Sequence, residues 1–310
     1  MDLAAAILEA TVRAALPLAL AALGELLIER SGCINIGLEG SVLAGAFGAA
    51  AIAQPLGVHA GLLGGLLAGA TLGVVFALFA VTLRSDQIIA GTAVTLLALG
   101  LTGGLARRLF GEQGLALTLP TLSSTHVLGL ERLPLIGRAL FAQPFIVYLT
   151  IAGAFAMHWW MTRTHAGLAL RAVGESRTAA ISAGIHADRV RWWAILAGTG
   201  VAGLGGAVLV LAQAGTFVEG MSAGRGFIAI AIVALGRWRP LSVLAGAAAF
   251  GAASALQFAA QTLGWTLPYQ LFLAAPYLVT MVVLTANARG GVPPAALGQR
   301  HANDGLPLSA

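Results

Sequence analysis

The spacing Gly220-Met-Ser-Ala-Gly224 fits G-x-S-x-G, the pattern that sets a serine nucleophile on a sharp turn between a strand and a helix. That chemistry needs histidine and acid partners on a soluble sheet, and here the motif sits in apolar, glycine-rich chain. A glycine-rich bend feeding a short helix is the better reading. Six histidines, at 59, 126, 158, 165, 186 and 301, show no metal-ligand spacing, and the carboxylates show no catalytic pairing. The remaining polar side chains interrupt apolar runs singly: Glu25, Asn35, Glu39, Asp86, Gln87, Thr92, Thr95, Gln213, Gln257 and Gln261. Within a membrane each costs free energy unless it is paired or lines a water-filled route. Thr92 and Thr95 share one helix face, as do Gln257 and Gln261. Neutral hydrogen-bonding groups of this sort suit an uncharged polyhydroxyl solute, and hydrogen bonds between helices account for each one equally well. For Glu39 and Asp86, near the interface, pairing with arginine is expected.

The elements that must carry these residues follow from composition. Of 310 residues, 58% are hydrophobic and 9% charged, where a soluble domain carries about 25% charged residues. With a mean hydropathy of +0.89, the chain is expected to be an all-α, polytopic transmembrane bundle forming a single domain over 1–310. The net charge of +5 does not imply nucleic acid, because the arginines lie in short loops between apolar runs. One cysteine, Cys33, excludes an internal disulfide. None of the 17 basic residues is lysine, so a phosphate-binding loop ending in Gly-Lys-Ser/Thr cannot form. If ATP drives the protein, another subunit hydrolyses it.

Spans are expected at about 11–28, 60–83, 88–105, 144–161, 192–213, 241–263 and 269–286. Two shorter, glycine-interrupted segments follow Gly40 and Gly226, in opposite halves of the chain. That gives about nine segments, within a range of 8–10 that includes broken or re-entrant helices. Broken helices in corresponding halves point to a substrate route, here including Gly224 and Gly226. Residues 107–143 form a long outer segment. Arginines at 30, 84, 163, 171, 177, 189, 191, 237, 239, 289 and 300 mark the cytoplasmic side and put the N-terminus outside. Arginines at 107, 108, 132 and 138 run against that asymmetry.

Five arginines fall within 163–191, a polar interruption between two apolar segments. Ser176 can cap a short helix covering 175–181, and Gly184 can stop it. Small residues on such a surface helix let another protein approach its backbone, with Arg171, Arg177 and Arg189 free to meet acidic groups. A partnerless basic loop is the alternative.

The run Arg171-Ala-Val-Gly-Glu-Ser-Arg-Thr-Ala-Ala-Ile-Ser-Ala-Gly-Ile185 resembles the cytoplasmic coupling loop of ABC-importer permeases. The branch it resembles imports nucleosides, simple sugars and branched-chain amino acids. Three more stretches resemble that family in order: Glu29-Arg-Ser-Gly-Cys-Ile-Asn-Ile-Gly-Leu-Glu-Gly40, Asp86-Gln-Ile-Ile-Ala-Gly-Thr92, and Met221-Ser-Ala-Gly-Arg-Gly-Phe-Ile-Ala-Ile-Ala231 with Gly236-Arg-Trp-Arg-Pro240. Cys33 departs from a common valine. The resemblance implies a multi-pass subunit of the bacterial plasma membrane that passes nucleosides or related sugars by alternating access. It implies ATPase coupling through Arg171, Gly174, Glu175, Arg177, Ala179, Ala180, Gly184 and Ile185. It also implies a cytoplasmic ABC ATPase, which binds the ATP, a second and different permease, and an extracytoplasmic substrate-binding lipoprotein. Surrounding membrane lipid is the remaining partner, and no cofactor is bound by the chain itself. A self-sufficient secondary transporter is the alternative, and an embedded enzyme lacks any catalytic set.

Overall fold

Inside a bilayer only a helix satisfies its own backbone, so the long apolar runs are expected to be helical. The computed structural model describes residues 3–111, 118–125, 137–262 and 292–299. In chain order the helices are α1 (Leu3–Arg30), α2 (Leu38–Leu56), α3 (Val58–Ala77), α4 (Gln87–Phe110), α5 (Gly137–Phe141), α6 (Phe145–Arg163), α7 (His165–Glu175), α8 (Arg177–Ser182), α9 (Ala187–Val208), α10 (Arg225–Leu235) and α11 (Pro240–Thr262). Both α3 and α9 run on into π-helical turns, Leu78–Thr82 and Leu209–Ala214. There is no strand among the described residues. Six of these helices are long and apolar enough to cross a membrane, and α10 is a shorter apolar helix of 11 residues. The segment expected to be short after Gly40 is instead the 19-residue α2, as long as α6. The span expected at 269–286 lies outside the described residues.

Glycine spacing decides how the bundle packs. α9 is its axle: 78% of its apolar stretch is buried, against at most 44% in the other spans. A Cβ on Gly198 would lie 2.4 Å from the Gly24 carbonyl of α1, and one on Gly203 would lie 2.3 Å from the Gly65 carbonyl of α3. On Gly206 it would fall against the Val42 carbonyl of α2. Lipid tails are as apolar as leucine, so membrane helices gain most from close backbone approach at small residues. Around α9 three neighbours therefore pack at backbone distance.

Two clusters fill the core. One joins α1 to α10 and α11 through Leu26, Ile232 and Phe250, and the other sits towards the opposite end around Leu20, Leu43 and Leu211. The first end gathers Arg30, Arg191 and Trp238. Arg30 donates to the Trp238 carbonyl through both Nε and Nη2, at 2.8 and 2.6 Å, and Arg191 Nε donates to the Ser31 carbonyl at 3.2 Å. At the other end, Arg107 pairs with Glu219 at 2.9 Å, which partly offsets one of the arginines that run against the charge asymmetry.

Candidate functional site

After Arg30 the chain turns back into the bundle. The Asn35 N–H donates to Glu25 Oε1 at 3.0 Å, and Glu25 lies five residues, about 7.5 Å, inside the end of α1. Residues 31–37 are thus irregular backbone at membrane depth, which is tolerated only where its polar groups are met by protein or line a cavity. Gln87 Oε1 accepts from the Ile34 N–H at 2.8 Å, and Thr95 donates to the Ile36 carbonyl at 3.4 Å. Gln87 and Thr95 of α4 thus each bond the returning loop. Three buried atoms in this cluster have no hydrogen-bond partner: Glu25 Oε2, Asn35 Oδ1 and Gln87 Nε2. Such groups in a native fold are normally met by water or a ligand.

The returning loop launches α2, and at the second residue of that helix Glu39 reaches α10. Its Oε1 accepts from the Gly224 N–H at 2.8 Å and its Oε2 from the Gly226 N–H at 2.6 Å. Gly224 adopts φ +82°, a left-handed turn that lets the chain swing into α10. A Cβ on Gly226 would sit 2.4 Å from the Glu39 nitrogen. The two glycine-interrupted segments, 187 residues apart at Glu39 and Gly226, therefore meet head to head through a carboxylate that caps a helix N-terminus. Beyond the expected arginine partner, for which Arg225 at the start of α10 supplies the charge, two backbone donors converge on the Glu39 carboxylate because α10 starts where α2 starts.

Asp86 also caps a helix. Its Oδ1 accepts from Ile88 N–H at 2.9 Å and Ile89 N–H at 3.2 Å at the start of α4. Asp86→Ala is expected to cost about 1 kcal/mol of stability with cargo selection unchanged, as checked by thermal unfolding in detergent and by uptake competition. Thr92 and Thr95 do not act together, because Thr92 is exposed and bonds its own helix at the Ile88 carbonyl. Gln257 is half-buried near the far end of α11, beyond Gly251, whose position packs against Thr11 and Ala15 of α1. It stands apart from the junction, and the side chain of Gln261 lies outside the described residues. The Gly220–Gly224 serine motif is a series of turns leading directly into α10, with Ser222 buried.

The basic loop is more ordered than its polarity predicts. Residues 165–175 form α7, which buries Gly167, Leu170, Val173 and Gly174. Those positions repeat at three- and four-residue spacing, the signal that could have revealed the helix. Glu175 thus ends α7 instead of beginning the short helix, and its Oε2 accepts from the Ala295 N–H at 3.3 Å. Ser176 caps α8 through the Ala179 N–H at 3.3 Å, and Gly184, at φ +82°, ends the turn after it, as expected. Ala180 faces inward against Val173 and Ala187, while Ala179, Ile181 and Gly184 are exposed. Arg177 pairs with Asp188 at 3.3 Å, and Arg171 is half-buried on α7. Beside them a groove of about 500 Å³ is lined by Arg177, Ile181, Gly184, Ile185, Asp188 and Arg189.

A connection absent from the sequence reading ties this hinge to the junction. Gly174 rides directly on the end of α1, where a Cβ would lie 2.2 Å from the Arg30 carbonyl and 3.3 Å from the Gly32 nitrogen. Trp238 Nε1 donates to the buried Glu29 carboxylate, so α10 is tied to the same end of α1.

A multi-pass helical bundle in which α2 and the half-helix α10 meet at their starts, with a helical hinge strapped to its basic end, is the architecture of a membrane permease. The chain belongs to the branched-chain amino acid transport system / permease component family, which matches residues 7–284. It is 36% identical to a Haloferax volcanii permease protein provisionally assigned to glucose ABC transport, over 96% of this chain and 98% of that one. It is 34% identical to the guanosine ABC transporter permease protein of Bacillus subtilis (90% and 91%). It is 30% identical to the nucleoside ABC transporter permease protein of Lactococcus lactis subsp. cremoris (92% and 93%). No solved structure matches it. The chain is accordingly a multi-pass ABC-transporter permease subunit of the plasma membrane, a transport component rather than an enzyme.

Proposed function

We propose that this permease passes an uncharged, hydroxyl-rich solute, a nucleoside or a simple sugar, along the junction of α2 and α10. The observation that carries this is the Glu39 cap. In permeases with broken helices, half-helix N-termini attract anionic groups of the cargo. Here a carboxylate of the protein occupies that position, so the route favours a neutral solute over an amino acid carboxylate. Asn35 Oδ1 and Gln87 Nε2, one acceptor and one donor without partners, suit hydroxyl groups. The naming of relatives for guanosine, nucleosides and glucose supports the same cargo class.

The drive comes from elsewhere. A cytoplasmic ABC ATPase holding the ATP docks on α8, seating a surface element in the groove beside Ile181 and Gly184. A second, different permease subunit completes the route, and an extracytoplasmic lipoprotein delivers the cargo. Movement of α8 passes through α7 and Gly174 to the end of α1 and residues 31–37, and from there to Glu39 and α10. Ile181→Asp puts a charge on the exposed apolar contact and is expected to cut uptake about tenfold or more, the scale of losing one interface anchor, with normal membrane insertion. Unchanged uptake in that variant rejects α8 as the docking element. Uptake competition with guanosine, ribose, glucose and leucine tests the cargo, and displacement by leucine alone rejects the neutral-solute reading.

A further inference from the structure

A second cavity lies apart from the junction and meets the hinge groove only at His186 and Arg189, which line both. It is an open groove of about 820 Å³ on the flank of the bundle, between α6, α7 and α9, with Leu27 of α1 at its floor. Trp160 and Trp193 form its walls, and the alanines at 156, 194 and 197 leave the space. Trp193 is 72% exposed and Trp159, on the same flank, 62%, so this side of α6 and α9 faces outward from the chain.

Its polarity runs one way. His186 and Arg189 line one end, at the start of α9, and everything deeper is apolar. Arg163 and His165, at the turn between α6 and α7, are exposed at the same level, whereas Asp188 is paired with Arg177. This is the arginine-rich end of the bundle, which the positive-inside rule puts at the cytoplasmic leaflet. From Arg189 to Ala197 the groove follows α9 for eight residues, about 12 Å. Half of a bilayer's hydrocarbon core is about 15 Å. Tryptophans at this depth are typical of the membrane–water boundary.

We propose that this groove is a binding site for one anionic phospholipid of the cytoplasmic leaflet, whose acyl chain lies between Trp160 and Trp193 over Leu27 and whose phosphate meets Arg189 and His186. The occupant follows from the geometry. A soluble ligand would meet almost no polar groups below the rim, while a chain-and-headgroup molecule matches an apolar cleft one leaflet deep with cations at its mouth. Arginine near the surface attracts anionic lipid by about fivefold per side chain. Because α7 forms one wall, the lipid braces the helix that carries the hinge.

The test is native mass spectrometry of the full chain released from vesicles of equimolar phosphatidylglycerol and phosphatidylcholine. The wild-type chain is expected to retain phosphatidylglycerol about fivefold over phosphatidylcholine. Arg189→Gln should bring the ratio close to one, and Ala197→Trp, which fills the groove, should lower retention of both lipids. Equal retention by the wild type, or a preference that survives Arg189→Gln, overturns the headgroup assignment. Retention unaffected by Ala197→Trp overturns the groove itself. Disulfide-length cross-linking of Trp193→Cys between two copies would show that a second chain, not lipid, covers this flank, and would overturn the proposal as a whole.

Discussion

Glu39→Ala is expected to lower uptake by about a hundredfold while leaving the chain in the membrane. The side chain meets two backbone donors, one buried at Gly226 and one partly buried at Gly224. A buried N–H left without an acceptor costs about 1–3 kcal/mol, which applies in full at Gly226 and in part at Gly224. The start of α10 would drift from the start of α2, and the route they frame would lose its shape. Glu39→Gln is the sharper probe, because it keeps the volume. Its amide oxygen can still accept one N–H, but its NH2 group faces the other donor, so an intermediate loss of uptake and a lowered thermal midpoint are expected. Transport assays normalised to membrane content by immunoblot would measure both variants. Wild-type uptake and stability in Glu39→Gln would mean that the half-helix junction is not held by this carboxylate.

The second large effect is expected at Gly174→Val. Its side chain would be driven into the Arg30 carbonyl, at 2.2 Å for the Cβ alone, and neither backbone can yield without moving α7 or the end of α1. Overpacking of this kind costs about 1–3 kcal/mol. The functional loss should exceed that, since the contact links the hinge to residues 31–37. In the assembled transporter, ATP hydrolysis is expected to continue while cargo uptake falls by about tenfold or more, the signature of a broken linkage. Gly100→Ala serves as the control, because a Cβ there meets nothing within 4 Å. If Gly174→Val transports normally, the path from α8 to the junction runs elsewhere.

How much of this was legible depended on whether the signal was local. Span positions came through because hydropathy and length act residue by residue. The segments expected at 88–105 and 241–263 became α4 and α11 with boundaries moved by a few residues. The cap at Ser176 and the stop at Gly184 were readable because each acts within one turn. The helix α7 was missed because Arg171 and His165 masked its apolar stripe, whose buried side is only Gly167, Leu170, Val173 and Gly174. For Glu39 and Asp86, proximity to arginines suggested ion pairs, and the capping of nearby helix starts by both carboxylates was not foreseen.

Taken alone, the chain's residues determined a lysine-free, helical membrane protein with two interrupted segments and a basic hinge, because bilayer thickness, charge asymmetry and capping chemistry all operate over short stretches. Tertiary structure alone decided that the two interruptions meet at Glu39, that Gly174 bears on the Arg30 carbonyl, and that Trp238 reaches Glu29 across 209 positions. Those contacts arise from glycine seams that let helices far apart in sequence approach to backbone distance. No local periodicity records which seam will find which partner.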